Sequence, residues 1–195
     1  MVLFTIVKYL IRFFLLFVFR IKVYGKENMP KEGGLIVVCN HRSFWDAVVL
    51  GGYSPRKLGF MAKAELFKNK IFGWLITSFG AFPVHRGKGD IGAIKAALSR
   101  LRENNVVAMF PEGRRVKNNE IPTAKPGAVM LASRAKVPIV PVKISGKYRW
   151  GGRIDVIIGE PVEYKEHYGE KLTVQELQGL SDKLLKTIYS LEVVS

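Results

Sequence analysis

Six short apolar runs punctuate this chain, at residues 35–39, 58–61, 81–84, 106–110, 139–144 and 154–158. Runs of that length are too short for core helices and read as buried strands. Helical patterns fill intervals between them. Residues 90–103 place Ile91, Ile94, Leu98 and Leu101 on one face, with Lys95, Ser99 and Arg102 turned away. Lys125-Pro126-Gly127 opens another helix, and Thr173-x-x-Glu176 is a capping box ahead of a stripe of Leu177, Leu180, Leu184, Ile188 and Leu191. Strands alternating with helices demand long crossovers, and these join parallel neighbours. The expected fold class is therefore α/β, with one largely parallel sheet flanked by helices. At 195 residues there is room for one such domain.

The N-terminus follows a different pattern. In residues 1–19 only Thr5, Lys8 and Arg12 fall outside the hydrophobic set. As a helix this stretch would be about 28 Å long, close to the ~30 Å hydrocarbon thickness of a bilayer. Lys8 and Arg12 lie near its middle on one face, and each costs roughly 2.5–3.5 kcal/mol at mid-bilayer. The balance favours a helix lying in the interface, with those two cations reaching lipid phosphates. Two other fates compete: a signal peptide, against which FVFRIKVYGK offers no small-residue cleavage site, and a helix packed on its own domain. Arg20, Lys22, Lys26 and Lys31 follow, which would hold the body on the cytoplasmic side of a cell membrane. The sequence thus divides into a membrane-anchoring helix at 1–22 and a main domain at 23–195.

Charge narrows the partner. Lys and Arg total 31 against 16 Asp and Glu, a net +15, so the partner is anionic: nucleic acid, a phospholipid surface or a phosphorylated substrate. The interleaved basic and aromatic stripe of single-strand binders is missing, so nucleic acid is not expected. Cys39 is the one cysteine, which excludes an internal disulfide and suits a reducing compartment. No H-E-x-x-H or clustered-cysteine pattern occurs, so neither a metal nor another cofactor is expected.

Chemistry-bearing residues collect at strand ends, where open α/β sheets place ligands. Asn40-His41-Arg42-Ser43-Phe44-Trp45-Asp46 follows the first run. On one continuous helix His41 and Asp46 would stand about 140° apart, so they meet only if His41 precedes the helix. Ser43-x-x-Asp46 then reads either as a capping box alone or as the turn that folds imidazole onto carboxylate. A His–Asp pair without a Ser or Cys nucleophile suits a general base acting on a hydroxyl. No G-x-S-x-G elbow is present, which argues against a serine hydrolase. Gly87-Lys88-Gly89-Asp90-Ile91-Gly92 matches a dinucleotide fingerprint, but Asp90 would compete with a pyrophosphate for the helix N-terminus. Arg86, Arg114 and Lys125 also sit at strand or helix ends and could together hold a phosphomonoester.

NHRSFWD, GAFPVHR, FPEGRR and VPIVPV, in that order, resemble the four blocks of the 1-acylglycerol-3-phosphate (lysophosphatidic acid) acyltransferases. The likeness covers roughly residues 25–142 and implies a glycerolphosphate acyltransferase-like fold. It also implies transfer of a fatty acyl group from an acyl-carrier-protein or coenzyme A thioester to the sn-2 hydroxyl of lysophosphatidic acid, giving phosphatidic acid. By resemblance His41 is the base and Asp46 its orienter, Arg86 binds the substrate phosphate, and Glu112 and Gly113 belong to the acceptor site. Val137, Pro138, Ile139, Val140 and Pro141 fall on the strand that lines the acyl-donor side. Lys63 joins Arg86, Arg114 and Lys125 as a further phosphate candidate. The third block carries Arg114 where the family has a hydroxyl residue. That change implies either a tighter grip on the head group or a different lysophospholipid or lyso-aminolipid acceptor. A reading from another class is a non-catalytic basic module that binds membrane or nucleic acid.

Overall fold

The computed structural model describes residues 2–78, 80–84, 91–116 and 122–193, with side chains from Thr5 onward. Helix α1 (Val2–Val18) leads directly into strand β1 (Phe19–Tyr24). Then come β2 (Leu35–Cys39), α2 (Trp45–Tyr53), β3 (Leu58–Lys63), α3 (Lys70–Ser78) and β4 (Phe82–Val84). The chain continues through α4 (Ile91–Arg102), β5 (Val106–Met109), α5 (Gly127–Ala135), β6 (Ile139–Gly146), β7 (Gly152–Ile158) and α6 (Val174–Ser190). The strands form one sheet in the order β1-β7-β6-β2-β5-β3-β4. Every pairing is parallel except β6 with β7, which are joined by a hairpin. The expected α/β sheet is thus present, mostly parallel and mixed at one side.

Each face of the sheet has its own core. Leu35, Val37 and Cys39 of β2 point to one face and pack with Leu15 of α1, Val49 and Leu50 of α2, and Ile76 of α3. Ile36 and Val38 point to the other, against Ala97 of α4, Val129 of α5 and Leu184 of α6. That alternation is the two-residue period of a strand buried on both sides. The capping box at Thr173 forms as the sequence indicates. Helix α4 differs in detail: its buried stripe is Ala93, Ala97 and Leu101, while Ile91 is exposed. Small alanines let this helix approach the sheet more closely than an Ile stripe would.

Two expectations about the N-terminus need correction. Phe19–Tyr24 is an edge strand paired with β7, so residues 19–22 belong to the sheet and the helix stops at Val18. Lys8 and Arg12 do not reach outward to lipid phosphates. The Lys8 ammonium donates to the Ser54 carbonyl at 2.7 Å, and the Arg12 guanidinium lies 5.0 Å over the Tyr53 ring, both at the end of α2. Burial, then neighbouring Arg12, pushes the Lys8 pKa down. With Val7, Ile11 and Leu15, these residues form the face that α1 turns to the domain. Its other face exposes Ile6, Tyr9, Leu10, Phe13, Phe14, Leu16 and Phe17. Among the described residues no helix is long and apolar enough to cross a membrane.

Candidate active site

Parallel pairing brings the strand ends together. The register Val38↔Met109 between β2 and β5 sets His41 beside the segment that begins at Phe110. The His41 ring stacks on Phe110 with centroids 3.9 Å apart. Its backbone N–H donates to Glu112 Oε1 at 3.0 Å, and its carbonyl accepts from the Val116 N–H at 2.8 Å. On the other side of β2, buried Asn40 continues the ladder with its side chain. Its amide donates to the Ile144 carbonyl and accepts from the Ile144 N–H. The first and third blocks therefore fix the backbone of one histidine from both flanks.

Asp46 holds the imidazole. His41 Nδ1 lies 3.3 Å from Asp46 Oδ2, which also accepts the backbone N–H groups of Arg42 and Ser43, each at 2.6 Å. Ser43 Oγ in turn accepts the Trp45 N–H at 3.3 Å. Helix α2 starts at Trp45 with Phe44 at its N-cap and no side-chain cap, so the Ser43 capping box does not form; the turn instead gives Asp46 Oδ2 to the imidazole and to the Ser43 N–H together. An ionised carboxylate only accepts, so Nδ1 bears the proton in this contact and Nε2 keeps its lone pair. The Asp46 side chain is 2% exposed and that of His41 17%, so the imidazole stays open to solvent while its partner is sealed.

The remaining Asp46 oxygen receives a donor that the motifs do not announce. Tyr148, in the β6–β7 hairpin, donates to Oδ1 at 2.6 Å. Burial, then the charge of Asp46, pushes the Tyr148 phenol far up, so it stays protonated. Its ring meets Phe19 edge-on, Phe19 meets Trp45, and Trp45 stacks on Phe14 of α1. A second tyrosine acts on the other acid. Tyr189 of α6 donates to Glu112 Oε1 at 3.1 Å, while Glu112 Oε2 is buried with no hydrogen-bond partner among the described residues. Burial pushes the Glu112 carboxyl up against the pull of those hydrogen bonds. Neither tyrosine lies in the four sequence blocks. No local signal marks them, since each is defined by a partner far away in the chain.

Gly113 and Arg114 follow β5 and Lys63 ends β3, at the strand ends that also carry His41. Gly113 has φ +68, a left-handed turn that favours glycine, and a Cβ there would stand 3.1 Å from Lys125 Cγ. The exposed Lys125 therefore packs over the turn that presents Glu112, and its N–H donates to the Pro111 carbonyl. Arg114 is exposed beside it. Lys63 ends β3 in register with Val84 of β4, and its ammonium is paired with Glu65 at 3.3 Å. Arg86, His85 and most of the glycine fingerprint lie outside the described residues. Val137, Pro138, Ile139, Val140 and Pro141 run into β6 between β2 and β7, with Ile139 and Val140 wholly buried. Those two have no surface to offer a donor and act as core.

Fold and site together define a class, the acyltransferases: the family model described as Acyltransferase matches residues 20–145, which contain all four blocks. The chain is 35% identical over 178 residues to the 1-acyl-sn-glycerol-3-phosphate acyltransferase of Bacillus subtilis, covering 88% of each. It is 34% identical over 173 residues to the enzyme of the same name from Streptococcus pneumoniae, covering 85% of this chain and 60% of that one. The crystal structure of the 1-acyl-sn-glycerophosphate acyltransferase of Thermotoga maritima superposes with a TM-score of 0.72 over 98% of this chain and 81% of that one. At 23% identity that match speaks for the fold. The chain belongs to the 1-acyl-sn-glycerol-3-phosphate acyltransferase family.

Proposed function

We propose that this protein moves a fatty acyl group from an acyl thioester, of acyl-carrier protein or coenzyme A, to the sn-2 hydroxyl of 1-acylglycerol-3-phosphate. The product is phosphatidic acid, and His41 is the general base. The observation that carries the mechanism is the contact between His41 Nδ1 and the sealed Asp46 carboxylate, which leaves Nε2 as the acceptor of a proton. A thioester carbonyl is already activated and its thiolate leaves readily, so the hydroxyl is the partner that needs help.

In the reaction, Nε2 takes the hydroxyl proton as the oxygen attacks the thioester carbon. The tetrahedral intermediate then collapses, the C–S bond breaks, and the thiolate leaves with the proton that the imidazolium returns. Asp46 stabilises that imidazolium while it exists. Base catalysis of this kind supplies typically ~10²–10⁴-fold. Arg86, Lys63, Arg114 and Lys125 bind the acceptor phosphate, at about 1.5–3 kcal/mol for each charge-assisted bond that forms. Glu112 and Gly113 form the acceptor side, and the two bonds that Glu112 Oε1 accepts tie that side to the His41 backbone and to Tyr189 of α6.

Helix α1 seats the protein on the cytoplasmic face of the membrane as a monotopic anchor. The support is its outer apolar face, with both of its cations turned inward. Lipid acceptor and acyl chain then enter sideways from the leaflet.

Thiol release measured over a panel of lyso-acceptors, with both donors, tests the assignment. Fast release with 1-acylglycerol-3-phosphate and almost none with unphosphorylated monoacylglycerol is expected. Equal rates on both would remove the phosphate site. A preference for a lyso-aminolipid or another lysophospholipid would trace to Arg114 and change the acceptor while keeping the reaction.

A further inference from the structure

Helix α3 shows an apolar stripe that neither the fold nor the reaction uses. Ile71 is 82% exposed and Trp74 57%, with Leu75 beside them at i, i+3 and i+4, and Leu66 exposed on the preceding turn. The opposite side of α3 is closed. A Cβ on Gly73 would stand 3.0–3.1 Å from the Phe67 backbone, and Ile76 packs into the core. The helix is therefore held in place with its stripe facing out. It touches α1 on the same face of the sheet, where α1 exposes Phe13, Phe14 and Phe17. The two stripes make an exposed apolar area of a kind that monomers rarely leave to water.

We infer that α3 is a second bilayer-contacting element, seated beside α1 in the boundary between headgroups and acyl chains. Three features favour a lipid surface as occupant. The stripe lies on a helix that touches α1, whose own outer face is apolar, Trp74 is the residue type that favours that boundary, and exposed Lys68 and Lys70 lie at the start of α3 to meet anionic phosphates. The inference rests on the membrane-associated reading of α1 and adds a consequence to it. Helix α3 joins β3, which ends at Lys63, to β4, which leads to Arg86. A bilayer that holds α3 holds those two strand ends near headgroup depth, where an acceptor phosphate resides.

Full-length protein mixed with vesicles of phosphatidylglycerol and phosphatidylcholine, some with brominated acyl chains, tests this. Subtracting the emission of Trp74→Phe from that of wild type isolates Trp74. That difference should shift to the blue on vesicle addition and be quenched by brominated lipid. Ile71→Glu with Leu75→Glu should weaken vesicle binding about tenfold or more, with activity on a soluble short-chain acceptor unchanged. If vesicles bind, and Phe13→Glu abolishes binding, but the Trp74 difference is unquenched, the inference is overturned and the α1 reading stands. If the full chain does not bind vesicles at all, both fall. A dimer in sedimentation that Ile71→Glu dissociates, with no quenching, would make the stripe a subunit interface and overturn it as well.

Discussion

Replacing Tyr148 with Phe removes one oxygen and leaves the ring against Phe19. The lost bond is the 2.6 Å donation to Asp46 Oδ1, while the other carboxylate oxygen keeps its contacts with His41, Arg42 and Ser43. Asp46 is sealed from solvent, so water does not readily replace the missing donor. Hydrogen bonds to charged groups contribute about 1.5–3 kcal/mol. In a domain of this size that loss lowers Tm by roughly 3–12 °C. If the full amount were felt in the transition state, kcat would fall by roughly 10- to 150-fold. Tyr148 acts through Asp46, so kcat should fall while KM for acceptor and donor stay put. A pH series adds a check. The phenol is raised above its ordinary 10.0, chiefly by burial, so its contribution is whole below about pH 10 and is lost as pH rises further. The stability gap between wild type and Tyr148→Phe should shrink above that point. Thiol-release kinetics and thermal melts are the assays. Wild-type kcat and Tm in Tyr148→Phe would refute the reasoning. A raised acceptor KM at unchanged kcat would make Tyr148 a substrate ligand instead.

Two further outcomes follow, one from the buried acid beside His41 and one from the proposed acceptor site. The Glu112 carboxyl is raised above 4.5, mainly by burial, so it favours the folded state below about pH 4 and loses that advantage as pH rises through its elevated value. Denaturant unfolding of wild type and Glu112→Gln should show wild type losing ground as pH rises above the ordinary carboxyl range, and a constant gap would contradict this. Arg86→Ala should raise KM for 1-acylglycerol-3-phosphate far more than for the thioester, because the phosphate belongs to the acceptor; equal effects on both would remove Arg86 from the phosphate site.

What the sequence disclosed was governed by how local each signal is. Strands such as Leu35–Cys39 are uninterrupted and buried on both faces, and the Thr173 capping box is complete within four positions, so both are legible. Strand β1 had its own signal, Phe19, Ile21 and Val23 alternating with Arg20 and Lys22, but the alternation follows an apolar helix directly and reads as its basic flank. Periodicity put Lys8 and Arg12 on one face of α1 without telling what that face meets. The Ser54 carbonyl and the Tyr53 ring decide it, some forty residues on. At the site, His41 and Asp46 were legible because five positions separate them. Tyr148 was not, because it reaches Asp46 across 102 positions, and Tyr189 reaches Glu112 across 77. Lys63, Arg114 and Lys125 were legible as exposed cations near strand or helix ends, and how the strand ends stack around them is encoded by no single segment.

The central claim is that Nε2 of His41 takes the proton from the acceptor hydroxyl. The most direct measurement is acyl transfer to 1-acylglycerol-3-phosphate by His41→Ala at saturating thioester and acceptor, beside a melt of the same protein. The account predicts a cooperative melt near that of wild type and transfer reduced by about 10²–10⁴-fold or more. Near-normal transfer in that folded variant would contradict it.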